Sequence, residues 1–209
     1  MPEGVRLGYG FMMTVAAYIF DFLVAKEVRQ AFMFTGGMAM HLNDALASEQ
    51  RISTLCCHHE QACALAAEGY AHVTGKPAIV QVTSGPGALN AMTGVFGAYV
   101  DGLPMIVISG QSKRETLCST YGLVGQLRQA GEQEAQIIPM ARSITKYAVA
   151  VQDPSRIAYE MEKAWHMAVS GRPGPVWIEI PVDVQGMSIE PKALPQFRQP
   201  LVPPAVLAP

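Results

Sequence analysis

The stretch AIVQVTSGPGALNAMTGVFGAYVDGLPMIVISG, residues 78–110 of a 209-residue chain, sets two apolar runs, 78–84 and 104–110, on either side of a helical pattern at 87–99. Both runs are nearly continuous in apolar residues, which suits strands covered on both faces. A strand, a helix and a second strand in that order imply a parallel pair joined by a crossover. The alternation extends outward in both directions. Further strand candidates are QAFMFTG (30–36), ISTLCC (52–57), TKYAVAV (145–151) and PVWIEIP (175–181), with helix candidates at 12–27, 38–48, 60–74, 132–142 and 154–170. Asp153-Pro154 reads as an N-cap followed by proline at the first helical position. The expected fold is α/β, a doubly wound parallel sheet of about six strands with helices on both faces.

Half of the residues are hydrophobic, 15% are charged, and the formal net charge is −2. That balance suits one packed domain, placed at residues 12–190, followed by a Pro-rich linker or tail at 191–209. It gives no support for nucleic acid or an anionic membrane as partner. The four cysteines, Cys56, Cys57, Cys63 and Cys118, have no framework spacing, so reduced thiols in a cytoplasmic protein are expected. The apolar run at 8–20 resembles a signal-peptide core, but Asp21, Lys26 and Glu27 follow at once, and no run reaches membrane-spanning length. The CCHH run (56–59) crowds its ligand types too closely for a zinc site, because alternate strand residues point to opposite faces. No metal site is assigned.

Ligands of open α/β sheets bind beyond the carboxyl ends of the strands. Four glycine- or histidine-bearing loops fall there: Thr35-Gly36-Gly37-Met38, Cys57-His58-His59-Glu60, Ser84-Gly85-Pro86-Gly87 and Ser109-Gly110-Gln111. Glycine lets a backbone approach a ligand with no side chain between them. On local grounds the SGPG loop is either a phosphate cradle at a helix N-terminus or a plain tight turn, since it matches neither common phosphate-binding spacing. In the helix at 60–74, Glu60, Ala64, Ala67 and Ala71 share one narrow face, with Gln61, Glu68 and His72 beside it. An alanine stripe admits another backbone or a flat ligand. A carboxylate at its head has two readings: a catalytic group, or a first-turn acid favoured by the helix dipole.

HEQACALAAEGYAHVTGKP (59–77), VTSGPGALNAMTGV (82–95) and AYVDGLPMIVISGQ (98–111), supported by FTGG, ITKYA (144–148) and SGRPGPVWIEIPVDVQ (170–185), together resemble the pyrimidine-binding domain of the acetolactate synthase-like, thiamine diphosphate-dependent enzymes. The resemblance runs from about residue 12 to 190. It implies that Glu60 is catalytic: in the family this glutamate hydrogen-bonds N1′ of the aminopyrimidine and favours the imino tautomer, whose 4′-nitrogen takes the C2 proton of the thiazolium. The resulting ylid attacks a 2-oxo acid. A carboxyl group in an apolar setting suits proton exchange with a ring nitrogen. Pro86, Gly87 and Asn90 match positions lining the aminopyrimidine pocket, which would make SGPG a pyrimidine holder rather than a phosphate cradle. Gln133 matches a position near the cofactor, and Gly37, Met38 and His59 match or adjoin the substrate loop.

Two departures are visible. Met38 stands where the family commonly has a small residue, and Glu132-Gln133-Glu134 stands where acetolactate synthases carry Phe-Gln-Glu. The first bears on the size of the substrate cavity, and the second weakens any claim that the substrate is pyruvate or the product acetolactate. The stretch at 116–131 also departs from the biosynthetic enzyme.

The resemblance further implies a diphosphate-binding domain, of the same or another chain, that holds thiamine diphosphate through Mg²⁺ by a Gly-Asp-Gly signature. No Gly-Asp-Gly occurs in this sequence, and its five aspartates do not form such a site. The expected protein is therefore a 2-oxo acid decarboxylase or carboligase that needs a further domain, forms a homo-oligomer, and leaves the use of FAD open. Two other classes are kept: a non-catalytic α/β binding module that retains the fold, and an unrelated flavodoxin- or Rossmann-type nucleotide-binding domain.

Overall fold

A two-residue strand, β1 (Met13–Thr14), leads into helix α1 (Val15–Ala25), whose start is capped by the Thr14 hydroxyl accepting the Ala17 N–H at 3.1 Å. The chain then alternates: β2 (Gln30–Met33), α2 (Met40–Ser48), β3 (Ser53–Cys56), α3 (Glu60–Thr74), β4 (Ala78–Val82), α4 (Pro86–Asp101) and β5 (Met105–Gln111). A largely irregular segment, 112–136, precedes the short α5 (Ile137–Ala141). The remaining elements are β6 (Tyr147–Ala150), α6 (Ile157–Val169), β7 (Pro175–Pro181), α7 (Val182–Gln185) and β8 (Ser188–Ile189). The computed structural model describes residues 12–199. Residues 8–11 of the apolar N-terminal run and 200–209 of the Pro-rich segment lie outside the described residues.

Six strands form one parallel sheet in the order β3-β2-β4-β5-β7-β6, while β1 and β8 pair antiparallel in a small second sheet. Alternation along the strands divides the core. Ile79, Ile106, Ile108, Val176 and Ile178 face α1, α2 and α6, whereas Val80, Val82, Val107 and Trp177 face α3, α4 and α5. Each fully buried aliphatic side chain of this kind contributes about 1.5–3 kcal/mol by leaving water, so the two apolar layers fix the register of the central strands. The sheet, its parallel sense and its helix-covered faces are those read from the sequence.

The edge strand β3 pairs only with β2 among the described residues and is exposed at every position. Two local features differ from the reading. The helix expected over 132–142 begins only at Ile137. Gln133 sits at φ 55°, which breaks any helix, and the Glu134 carboxylate draws the backbone N–H groups of Cys118, Ala130 and Gly131 around itself instead. At the other end, the Asp153 carboxylate caps as expected, accepting the Ser155 N–H at 2.9 Å, but Pro154 opens a 3₁₀ turn and α6 proper starts at Ile157.

Large apolar side chains on α3 and α4, among them Leu65, Val73, Phe96 and Val100, are exposed. The segment after β8 returns to α6, where Phe197 lies against the Tyr159 and His166 rings and its N–H donates to Glu162. Among the described residues no helix is long and apolar enough to cross a membrane.

Candidate functional site

The chain lays down β2, steps outward to β3, and then crosses back to place β4 on the other side of β2. The direction of winding therefore reverses between β2 and β4, and a crevice opens there beyond the carboxyl ends of the strands. Gly36, just after β2, marks the close approach: a Cβ on it would lie 2.5 Å from the Thr83 Cβ at the end of β4. Asn43 fixes that loop from α2, donating to the Gly36 carbonyl at 3.3 Å and accepting the Gln81 amide at 2.6 Å.

Glu60 is the first residue of α3, pointed into this crevice and only 6% exposed. The Asn90 side-chain amide, one turn into α4, donates to its carboxylate at 3.0 Å. The alanine stripe behind Glu60 packs against the backbone of a neighbouring helix: a Cβ on Gly94 of α4 would lie 2.7 Å from the Ala64 Cβ. Close crossing of α3 and α4 is what brings Glu60 and Asn90 within reach of each other. Of the two sequence readings of Glu60, its burial and side-chain partner go beyond what a first-turn helix acid requires.

The SGPG loop forms the floor. Gly85 has φ 51° and ψ −119°, and a Cβ there would lie 2.2 Å from the Gln133 carbonyl oxygen, so both conformation and space demand glycine. Gly87 lies under the carboxylate, since its Cβ would meet Glu60 Oε1 at 3.0 Å and Thr83 Cγ2 at 2.7 Å. Beside this floor the hydroxyls of Thr83 and Ser84 are buried without a hydrogen-bond partner among the described residues. Buried hydroxyls are ordinarily paired, and the Gln81 and Gln185 side-chain oxygens are unpaired in the same way among the described residues.

Glu60 and Asn90 are thus hydrogen-bonded, Gly87 lies close beneath the carboxylate, Pro86 is the first residue of α4, and the Gln133 carbonyl packs closely over Gly85. Gly37 and Met38 lie in a 3₁₀ turn connected to the same crevice through Gly36. His59 is exposed and already engaged: its Nδ1 accepts the Gln61 N–H at 3.1 Å and caps α3.

Sequence reasoning missed the residues that hold these loops. Gln185 of α7 donates to the Met38 carbonyl at 2.8 Å across a separation of 147 residues, and a Cβ on Gly110 would collide with that same carbonyl. Gln111, at the end of β5, donates both to the Ala135 carbonyl at 3.0 Å and to the Glu179 carboxyl at 3.2 Å. The sequence signal for Glu179 was its place inside the apolar run PVWIEIP. Burial pushes its carboxyl up to about 8 against the pull of the Gln111 amide, and the Glu134 charge adds to the rise. Glu134 goes the other way. Burial opposes its charge, but the N–H groups of Ala130, Gly131 and Cys118 outweigh it and hold the group below the usual carboxylate range.

The arrangement brings together a buried carboxylate, a side-chain amide that donates to it, and glycine backbone with no side chain in between. Residues 13–137 match the family described as thiamine pyrophosphate enzyme, N-terminal TPP binding domain. The chain is 35% identical over 186 residues to acetolactate synthase 3, chloroplastic, of Brassica napus, covering 89% of this chain and 26% of that protein. Similarity to the acetolactate synthase isozyme 3 large subunit of Escherichia coli is 35% over 173 residues, or 83% of this chain and 28% of the relative. The mitochondrial acetolactate synthase catalytic subunit of Saccharomyces cerevisiae is 34% identical over 175 residues, 83% of this chain and 24% of the relative. The chain spans about a quarter of the length of these curated relatives. With the family matched over most of the β2–β5 crevice, the chain belongs to the thiamine pyrophosphate enzymes and carries their N-terminal TPP-binding domain.

Proposed function

We propose that residues 12–190 form the pyrimidine-binding half of a thiamine diphosphate-dependent 2-oxo acid decarboxylase or carboligase of the acetolactate synthase type, with 191–209 as the connecting segment. The observation that carries the reading is the buried Glu60 carboxylate held by Asn90 above the glycine floor of Gly87. When bound, thiamine diphosphate supplies the carbanion chemistry that a 2-oxo acid decarboxylation needs. Glu60 holds or moves a proton at the ring nitrogen facing it, Asn90 fixes the carboxylate's orientation, and Gly85 and Gly87 let the ring approach the backbone. Gln133 closes the crevice from the side of Gly85. Gly37, Met38 and His59 border the space in which a 2-oxo acid would lie, and Met38 narrows it.

The hard oxygen ligands that Mg²⁺ requires are assigned to a diphosphate-binding domain of the same or another chain, since Gly-Asp-Gly does not occur here. The exposed apolar side chains of α3 and α4 support association with such a partner and self-association. Free thiols at all four cysteines support a cytoplasmic setting.

The test is Glu60→Gln in the complete enzyme. General acid–base contributions of about 10²–10⁴-fold set the expected fall in turnover of 2-oxo acids, with the circular dichroism spectrum unchanged. Near-normal turnover would refute the role.

A further inference from the structure

Glu179 and Glu134 line the same cavity, of about 110 Å³, between the end of β5, α5 and the 112–136 segment. Glu134 belongs to that segment and gathers it, accepting N–H groups from Cys118, Ala130 and Gly131. Glu179 belongs to the sheet and is buried on β7. Gln111 stands between them: its amide donates to Glu179 and to the Ala135 carbonyl, while its side-chain oxygen accepts the Ser112 N–H at 2.9 Å. Ser112 in turn donates to the Glu132 carbonyl at 2.6 Å, next to Gln133. The other elements packed on Glu179 present uncharged residues to the cavity, including Ala150 at the end of β6, Gln152 just beyond it, and Ile137 and Ile138 of α5. Among the described residues no Lys, Arg or His lines it.

We propose that Glu179 is a positioning residue which, in its neutral form, fastens the 112–136 segment to the sheet through Gln111 and so seats Gln133 against Gly85. An ionised Glu179, only 6% exposed, is opposed first by its burial and further by the Glu134 charge facing the same cavity, so the closed segment favours one charge there. That charge resides on Glu134, whose N–H donors stabilise it, and the proton resides on Glu179. Burial, which pushes the Glu179 carboxyl up to about 8, agrees with this division.

Opening the segment hydrates Glu179 and returns it to the ordinary carboxylate range, about 4.3, so the open form binds fewer protons than the closed form between about 4.3 and 8. The stability of the closed form is then greatest below that window, falls as pH rises through it, and levels off above about 8. Glu134 works in the opposite sense and below this window.

The experiment is amide hydrogen exchange of Cys118, Ala130 and Gly131 in the full-length protein from about pH 5 to 9, corrected for intrinsic rates. Protection should fall by up to about tenfold per pH unit and flatten above about 8, and Glu179→Gln should remove the fall. Protection independent of pH, or an unchanged fall in Glu179→Gln, overturns the proposal. Should that variant fail to fold, a carboxyl-carbon titration of Glu179 in the unmodified protein decides: a midpoint in the ordinary carboxylate range overturns it equally. The consequence for cofactor binding rests on the thiamine diphosphate reading, whereas the latch does not. If exchange behaves as stated but thiamine diphosphate affinity shows no matching pH dependence, the latch stands and the assignment of the crevice fails.

Discussion

The side-chain amide of Asn90 donates to the buried Glu60 carboxylate at 3.0 Å, tying the first turn of α3 to the first turns of α4. The pair joins two crossover helices at the point where the sheet reverses its winding. Asn90→Ala leaves Glu60 without this donor, and a hydrogen bond to a charged group contributes about 1.5–3 kcal/mol. A loss of that size in urea unfolding is expected, and a change below about 0.5 kcal/mol would show that water replaces the amide freely.

Gly87→Ala places a methyl group about 3.0 Å from Glu60 Oε1 and 2.7 Å from Thr83 Cγ2. Overpacking of this kind costs about 1–3 kcal/mol. The added carbon also occupies the floor beneath the carboxylate. The complete enzyme with this substitution should bind thiamine diphosphate at least about tenfold more weakly, a difference of about 1.4 kcal/mol. Unchanged affinity in titration calorimetry would place the ring elsewhere.

Glu134 is the knot of the 112–136 segment. Replacing it with leucine strands the N–H groups of Cys118, Ala130 and Gly131, each at a cost of about 1–3 kcal/mol if it stays buried. The segment should open rather than bear that sum, so Glu134→Leu should be cut within 112–136 by protease under conditions where the parent resists. Acid should act in the same direction. The native carboxyl lies below its ordinary value, so its stabilisation is present above that value and disappears as pH falls through the native one. With Glu179→Gln as the background, so that only Glu134 titrates, protease resistance of the segment that is equal at about pH 3 and pH 6 would contradict this.

The 209-residue chain alone should bind thiamine diphosphate and Mg²⁺ weakly, because the donor set assigned here contacts the ring and supplies no oxygen ligands for the metal. Micromolar affinity in calorimetry, about −8 kcal/mol, would mean that this chain holds the diphosphate as well.

The sheet was legible because its strands declare themselves. Ile106, Val107 and Ile108 are buried on both faces, and so are Val176, Trp177 and Ile178, with helical periods between such runs. Glu60 was legible as an anomaly, a carboxylate heading an alanine stripe, and SGPG as a glycine-bearing turn after a strand. The links that make them a site were not legible. Gln185 reaches Met38 over 147 positions and Gln111 reaches Glu179 over 68, and neither contact leaves a local pattern. The break at Gln133 escaped for a different reason: glutamine has ordinary helix propensity, and its positive φ accompanies long-range contacts, its carbonyl over Gly85 and its neighbour Glu134 on the Cys118 N–H.

The claim on which the functional account depends is that the Glu60 carboxylate meets the aminopyrimidine ring. The most direct measurement is the rate at which the C2 proton of bound thiamine diphosphate exchanges with deuterium in the complete enzyme, compared with Glu60→Gln. The account predicts exchange slower by about 10² or more in the variant, with the cofactor still bound. Equal exchange rates in the two proteins would contradict it.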